Sequence, residues 1–234
     1  MNILITGASR GIGYQTALDL ASDPDNAVLA LARTEERLVE LAEDARERSG
    51  VQNLKYLVYD LAKPDRVGLR KAVNAMGALD VLINNAGYLV NKDFTELSRE
   101  DWQRSLEVNL LGPVDLISTL RPFLQKSSRA HVLNISSMGG FQGSAKFPGL
   151  SAYSSSKAAL TCLTECLAEE WKEGTISCNC LALGAVQTEM LEEAFPGFEA
   201  PLSSEEMGAF VARFAREGHR FFNGKVLPVS LSTP

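Results

Sequence analysis

Tyr153 and Lys157 stand four residues apart in Tyr153-Ser-Ser-Ser-Lys157. On a helix that spacing puts a phenol and an ammonium on one side, one turn apart. A free phenol titrates near pH ~10, and a cation held close favours the phenolate, so the pair can act as a general acid or base nearer neutral pH. Two such residues are also ordinary surface neighbours, so the chemistry depends on what else the chain brings to them. Upstream, Asn2-Ile-Leu-Ile-Thr6 has the pattern of a short buried strand. It runs straight into Gly7-Ala8-Ser9-Arg10-Gly11-Ile12-Gly13, and a helical pattern follows from Tyr14 to Ala21. A glycine-rich turn between strand and helix cradles phosphate. Gly7 permits the bend, Gly11 lets backbone N–H groups approach a pyrophosphate, and Gly13 lets the helix pack against the strand with the anion at its N-terminus.

The elements that must position these groups alternate along the chain. Apolar runs predict strands at Ala27–Ala32, Leu54–Tyr59, Leu79–Asn84, Ala130–Ile135, Thr175–Leu181 and Lys225–Val229, with amphipathic helices between them, one from about Glu35 to Arg48. Runs such as Val28-Leu-Ala-Leu-Ala32 suit strands covered on both faces. The pattern predicts an α/β fold, a doubly wound parallel β-sheet with helices on both faces and ligands at the strands' carboxyl ends. The 234 residues, 45% hydrophobic, suit one domain spanning 1–234. Twenty-three basic against 29 acidic residues give a net charge of -6, which argues against nucleic acid as a partner and leaves small molecules. No apolar run approaches the ~20 residues that span a bilayer, and Met1 lies one residue before the first strand, so a soluble, cytoplasmic protein is expected. The spacings of Cys162, Cys166, Cys178 and Cys180 do not match metal knuckles and read as buried thiols; no metal site is expected. His131 and His219 have no ligand cluster nearby and read as solvated or structural.

Three motifs in order, Thr6 to Gly13, Asn84-Asn85-Ala86-Gly87, and Tyr153 with Lys157, resemble the hallmarks of the short-chain dehydrogenase/reductase family over nearly the whole chain. The resemblance implies a Rossmann-like sheet and a bound NADP(H) or NAD(H). It assigns the cofactor to Gly7, Ser9, Arg10, Gly11, Ile12, Gly13, Arg33, Asp60, Leu61, Asn85, Ala86, Gly87, Tyr153, Lys157, Gly184, Val186 and Thr188. It also implies that Ser137, the better candidate of Ser136 and Ser137, binds the substrate carbonyl and that Tyr153 donates the proton. Lys157 lowers the tyrosine pKa and holds the nicotinamide ribose, and Asn109 positions a water in a proton relay. At the end of the second strand Ala32 stands where an acid would repel a 2′-phosphate. Arg33 follows and Arg10 projects from the turn, which points to NADPH over NADH. Relatives commonly form homodimers or homotetramers.

Two departures from the family pattern stand out. The interval from Ser137 to Tyr153 is long, and its Met138, Phe141, Phe147 and Leu150 would line an apolar substrate pocket or pack beneath the loop. Leu183 replaces the usual proline before Gly184, which implies a less rigid loop. Beyond Thr188, the stretch with Met190, Leu191, Phe195, Phe198 and Leu202 reads as a substrate lid at about 189–205 or as a short helix packed on the body or a neighbour. The resulting expectation is an NADPH-dependent reductase of a small or medium aldehyde, ketone or diketone. Reduction of a 3-oxoacyl thioester, or non-catalytic NADPH sensing, stands as the alternative.

Overall fold

Every apolar run expected as a strand forms one in the computed structural model, which describes residues 1–231; the last three residues of the expected 1–234 unit lie outside the described residues. In chain order the elements are β1 (Asn2–Thr6), α1 (Gly11–Ala21), β2 (Ala27–Ala32), α2 (Glu35–Ser49), β3 (Leu54–Val58), α3 (Arg66–Asn74), β4 (Val81–Asn84) and α4 (Arg99–Leu106). There follow α5 (Gly112–Leu124), β5 (Ala130–Ser137), α6 (Ser151–Glu170), β6 (Ile176–Leu183), α7 (Glu189–Ala194), α8 (Ser204–Glu217) and β7 (Val226–Val229), with a π-helical turn, Glu107–Leu111, joining α4 to α5. The sheet is parallel throughout in the order β3-β2-β1-β4-β5-β6-β7. Strand order reverses between β1 and β4, which opens a crevice at their carboxyl ends.

Alternation along the strands divides the core into two layers. Ile3, Ile5, Ala30 and Leu133 face Ala17, Leu20, Leu38, Val211 and Ala215 of α1, α2 and α8. Leu4, Leu29, Leu82 and Val132 face Leu69, Leu116, Leu120 and Ala168 of α3, α5 and α6. Several boundaries differ from expectation; β3 ends at Val58, β6 spans Ile176–Leu183 and β7 starts at Val226. Helix α1 starts at Gly11, inside the glycine turn, instead of at Tyr14. Strand β4 starts at Val81 because the Leu79 N–H bonds to the Phe123 carbonyl instead of a strand partner. Strand β5 runs on to Ser137, where Ser136 and Ser137 pair with Ala182 and Leu183, so Ser137 sits at the strand tip. The expectation of buried thiols holds only for Cys178 and Cys180; Cys162 and Cys166 are exposed. The sheet-facing stripe of α6 runs through Leu160, Thr164 and Ala168, which turns the two cysteines outward. No helix among the described residues is long and apolar enough to cross a membrane.

His131 is buried on the α8 side of β5. Its Nε2 accepts from Asn179 Nδ2 at 3.1 Å, so the ring proton sits on Nδ1, which donates to the Ala215 carbonyl at 2.9 Å. A second proton would face the Asn179 donor, and burial pushes the imidazole pKa down to about 4. His219, whose ring lies 5.5 Å away, is lowered as well, by burial and by Arg129 and Arg220. The unfolded chain therefore takes up protons first, and stability present above pH ~6.5 drains away as pH falls toward 4. The expected loss from His131 is about 3 kcal/mol, at ~1.4 kcal/mol per pH unit. Denaturant midpoints measured from pH 7 to 4.5 should fall in the wild type and much less in His131→Leu; a flat wild-type profile would refute the assignment.

Candidate active site

The turn after β1 is built on a backbone contact that leaves no room for side chains. Gly7 adopts φ +69°, and a Cβ there would lie 2.7 Å from Ala86 Cα; a Cβ on Gly13 would lie 2.3 Å from both the Gly7 carbonyl oxygen and Asn85 Nδ2. Thr6 closes the contact, its Oγ1 accepting from the N–H groups of Asn85 (3.1 Å) and Ala86 (3.0 Å). Asn85 Nδ2 returns a bond to the Thr6 carbonyl at 2.9 Å. Above this clasp opens a cleft of about 440 Å³, and every residue expected to hold the cofactor, from Gly7 through Thr188, lies on its wall. Asp60 is partly engaged, its Oδ1 accepting from the Ala62 N–H at 3.0 Å. The side-chain-free cradle at the helix N-terminus and the absence of an acid at the end of β2, where Ala32 is followed by exposed Arg33, fit a dinucleotide.

Ser137 from β5 and Tyr153 and Lys157 from the first turns of α6 meet on the same wall. The Ser137 hydroxyl, which accepts from the Gly139 N–H at 3.2 Å, stands near enough to the Tyr153 phenol to act on its pKa. Burial drives the phenol up to about 12, and the serine, which favours the phenolate, offsets only part of that. Lys157 is 3% exposed, donates from Nζ to the Ile135 carbonyl at 2.8 Å, and is pulled down to about 8 by burial. Its Nζ lies 5.9 Å from the centre of the Tyr153 ring. Desolvation raises the phenol and the Ser137 hydroxyl opposes it, while the Lys157 ammonium, contrary to expectation, adds no lowering of its own here.

Asn109 is brought near but not onto the wall. It is buried in the π-helical turn, where its Oδ1 accepts from Tyr88 N–H (2.7 Å) and its Nδ2 donates to the Tyr88 carbonyl (2.8 Å) and Ser156 Oγ (2.9 Å). Ser156 Oγ in turn donates to the Tyr153 carbonyl at 2.7 Å. The carboxamide therefore ties the loop after Gly87 to the turn that carries Tyr153. Thr6 stood in the sequence only as the first residue of the glycine motif, with no positioning role, and nothing local marks Ser156 as a positioning residue.

Most of the remaining wall is apolar, with Arg104, Glu189, Ser136 and Ser230 also on it. Met138, Phe147 and Leu150 of the long interval and Met190, Leu191, Phe195 and Phe198 beyond Thr188 line the cleft, joined by Tyr88, Leu89 and Val108, whose positions the sequence did not signal. Phe141 is not on the wall, and Leu202 packs on the core instead. Leu183 is buried and in register with Ser137 and Val229, so β6 continues up to Gly184.

The short chain dehydrogenase family profile matches residues 1–197. An uncharacterized oxidoreductase of Staphylococcus saprophyticus is 34% identical over 197 residues, 81% of this chain and 76% of the relative. A 3-oxoacyl-[acyl-carrier-protein] reductase of Staphylococcus aureus is 30% identical over 191 residues, 81% and 76% of the two chains. Among solved structures, a short chain dehydrogenase of Shigella flexneri complexed with NADP superposes with a TM-score of 0.87 at 27% identity, covering 97% of this chain and 95% of that one.

The clasp generates a test at Gly13. Alanine would gain about 1 kcal/mol of helix propensity, yet its Cβ would meet the Gly7 carbonyl oxygen and the Asn85 amide. Gly13→Ala should therefore lower the melting temperature and weaken nicotinamide dinucleotide binding at least tenfold by fluorescence titration. An unchanged melting temperature with unchanged binding would show that the turn is not sterically locked.

Proposed function

This chain belongs to the short-chain dehydrogenase family, and from that premise we propose that it is an NADPH-dependent reductase of small or medium aldehydes, ketones or diketones. The observation that carries the reading is the convergence of Ser137, Tyr153 and Lys157 on one wall of a cleft whose floor is the glycine cradle. Arg10 and Arg33 on the rim supply guanidinium groups suited to a 2′-phosphate, and the Shigella flexneri relative is complexed with NADP. The nicotinamide, when bound, supplies the hydride.

The chain's own residues then have distinct tasks. Ser137 hydrogen-bonds the carbonyl oxygen and holds it against the Tyr153 phenol. Tyr153, which keeps its proton well above neutral pH in this environment, delivers it as the oxygen becomes an alkoxide, which suits reduction. Lys157 contributes positive charge beside the phenol and a donor for the ribose. Asn109 positions the Tyr153 turn through Ser156 and Tyr88. The apolar side chains from 138–150 and 190–198 exclude water and favour an apolar substrate; the segment at about 189–205 serves as the lid. Reduction of a 3-oxoacyl thioester is the second reading, favoured by the Staphylococcus aureus relative. Association into dimers or tetramers belongs to the same proposal.

NADPH oxidation with a panel of aldehydes, ketones, diketones and a 3-oxoacyl thioester tests the reading. Tyr153→Phe should lower turnover at least ~100-fold, within the range lost with a general acid, while NADPH still binds. The wild-type reductive rate should hold below pH ~8 and decline above it as Lys157 loses its charge. Tight NADPH binding without turnover on any compound would favour a sensing role instead.

A further inference from the structure

Helix α7 is held to the body by little. It has no buried residue. Its N-terminus is capped by Thr188, whose Oγ1 accepts from Leu191 N–H at 3.3 Å. At its other end two side-chain contacts bind it: Asn91 Nδ2 donates to the Ala194 carbonyl at 2.8 Å, and Glu193 grips Arg10. The Arg10–Glu193 pair uses both arms of the guanidinium, Nη1 to Oε1 at 2.5 Å and Nη2 to Oε2 at 3.4 Å. Glu189 adds a second negative charge near the same guanidinium and lies beside the glycine turn, its Oε2 3.7 Å from where a Gly11 Cβ would stand. Arg10 is therefore committed to a carboxylate of α7, on the cleft wall that its guanidinium shares with Arg33.

We propose that Glu193 is a cofactor-specificity residue that occupies Arg10 in place of the 2′-phosphate of NADPH, so that the phosphate must displace it and in doing so releases α7. The proposal rests on the reading of Arg10 as a 2′-phosphate ligand. Glu193 takes the Nη1–Nη2 edge, which cannot hold a second oxyanion in the same bidentate geometry, and a phosphate monoester, more highly charged than a carboxylate and rich in acceptors, is the stronger competitor for that edge. NADH has no such group and leaves the ion pair in place. Linkage then requires that whatever weakens Glu193 strengthens NADPH binding and leaves NADH binding unchanged, and that NADPH loosens α7 where NADH does not.

Dissociation constants for NADPH and NADH, measured by fluorescence titration on wild type and Glu193→Gln, decide the matter. Both side chains of the pair are largely exposed, so the expected gain is modest. NADPH should bind about two- to five-fold tighter in the variant, the range of an exposed ion pair, and NADH equally in both. Limited proteolysis supplies a second readout: cleavage within 189–202 should be faster in the NADPH complex than in the NADH complex of the wild type, and the difference should shrink in Glu193→Gln. If wild type and variant alike bind both cofactors equally, the phosphate reading of Arg10 falls and the competition with it. If wild type prefers NADPH and the variant binds it no better or worse, only the competition falls, and a weaker variant would mean that Glu193 holds Arg10 ready for the phosphate.

Discussion

The contact between the turn after β1 and the segment after β4 is the constraint on which the rest depends. Two stretches of backbone approach so closely at Gly7, Gly13, Asn85 and Ala86 that a methyl group has no place between them. Thr6 locks them with two main-chain hydrogen bonds. Because β1 and β4 are the strands at which the sheet reverses its order, this contact fixes the floor of the cleft and the direction from which every other element reaches it. Ser137, Tyr153 and Lys157 reach the cleft from β5 and α6, and Arg10 and Arg33 reach it from the turn and the end of β2.

Burial then sets the electrostatics. A phenol and an ammonium four residues apart would in water titrate almost together, near pH ~10. Inside the cleft desolvation moves them in opposite directions, the phenol to about 12 and the amine to about 8. The protein does not leave the buried lysine unpartnered, since the Ile135 carbonyl accepts its proton. The outcome is a donor that retains its proton and a cation whose charge is sensitive to whatever enters the cleft.

Most of the strands and the cofactor wall were legible in the sequence because apolar runs bounded by turns, and glycines with a fixed spacing, carry their physics locally. Ala27–Ala32 was read to the residue. The failures lie where distant residues decide. Leu79 is apolar and buried but outside β4, since its N–H is taken by Phe123 of α5. Cys162 and Cys166 are exposed because the orientation of α6 is set by Lys157 and Leu160 against the sheet, which a list of cysteines does not reveal. Asn109 was found by motif, but its place behind the wall, bound to Tyr88 and Ser156, follows from a π-helical turn that no spacing announces.

Helix α7 lends the cleft Met190 and Leu191 while burying neither in the core. Its residues are thus answerable to what occupies the cleft and hardly at all to the folding of the sheet. Substitutions there can redirect recognition at little expense in global stability, whereas the clasp beneath tolerates almost none. Change at this edge of the cleft therefore has an inexpensive route, because α7 is mechanically separate from the part that folds.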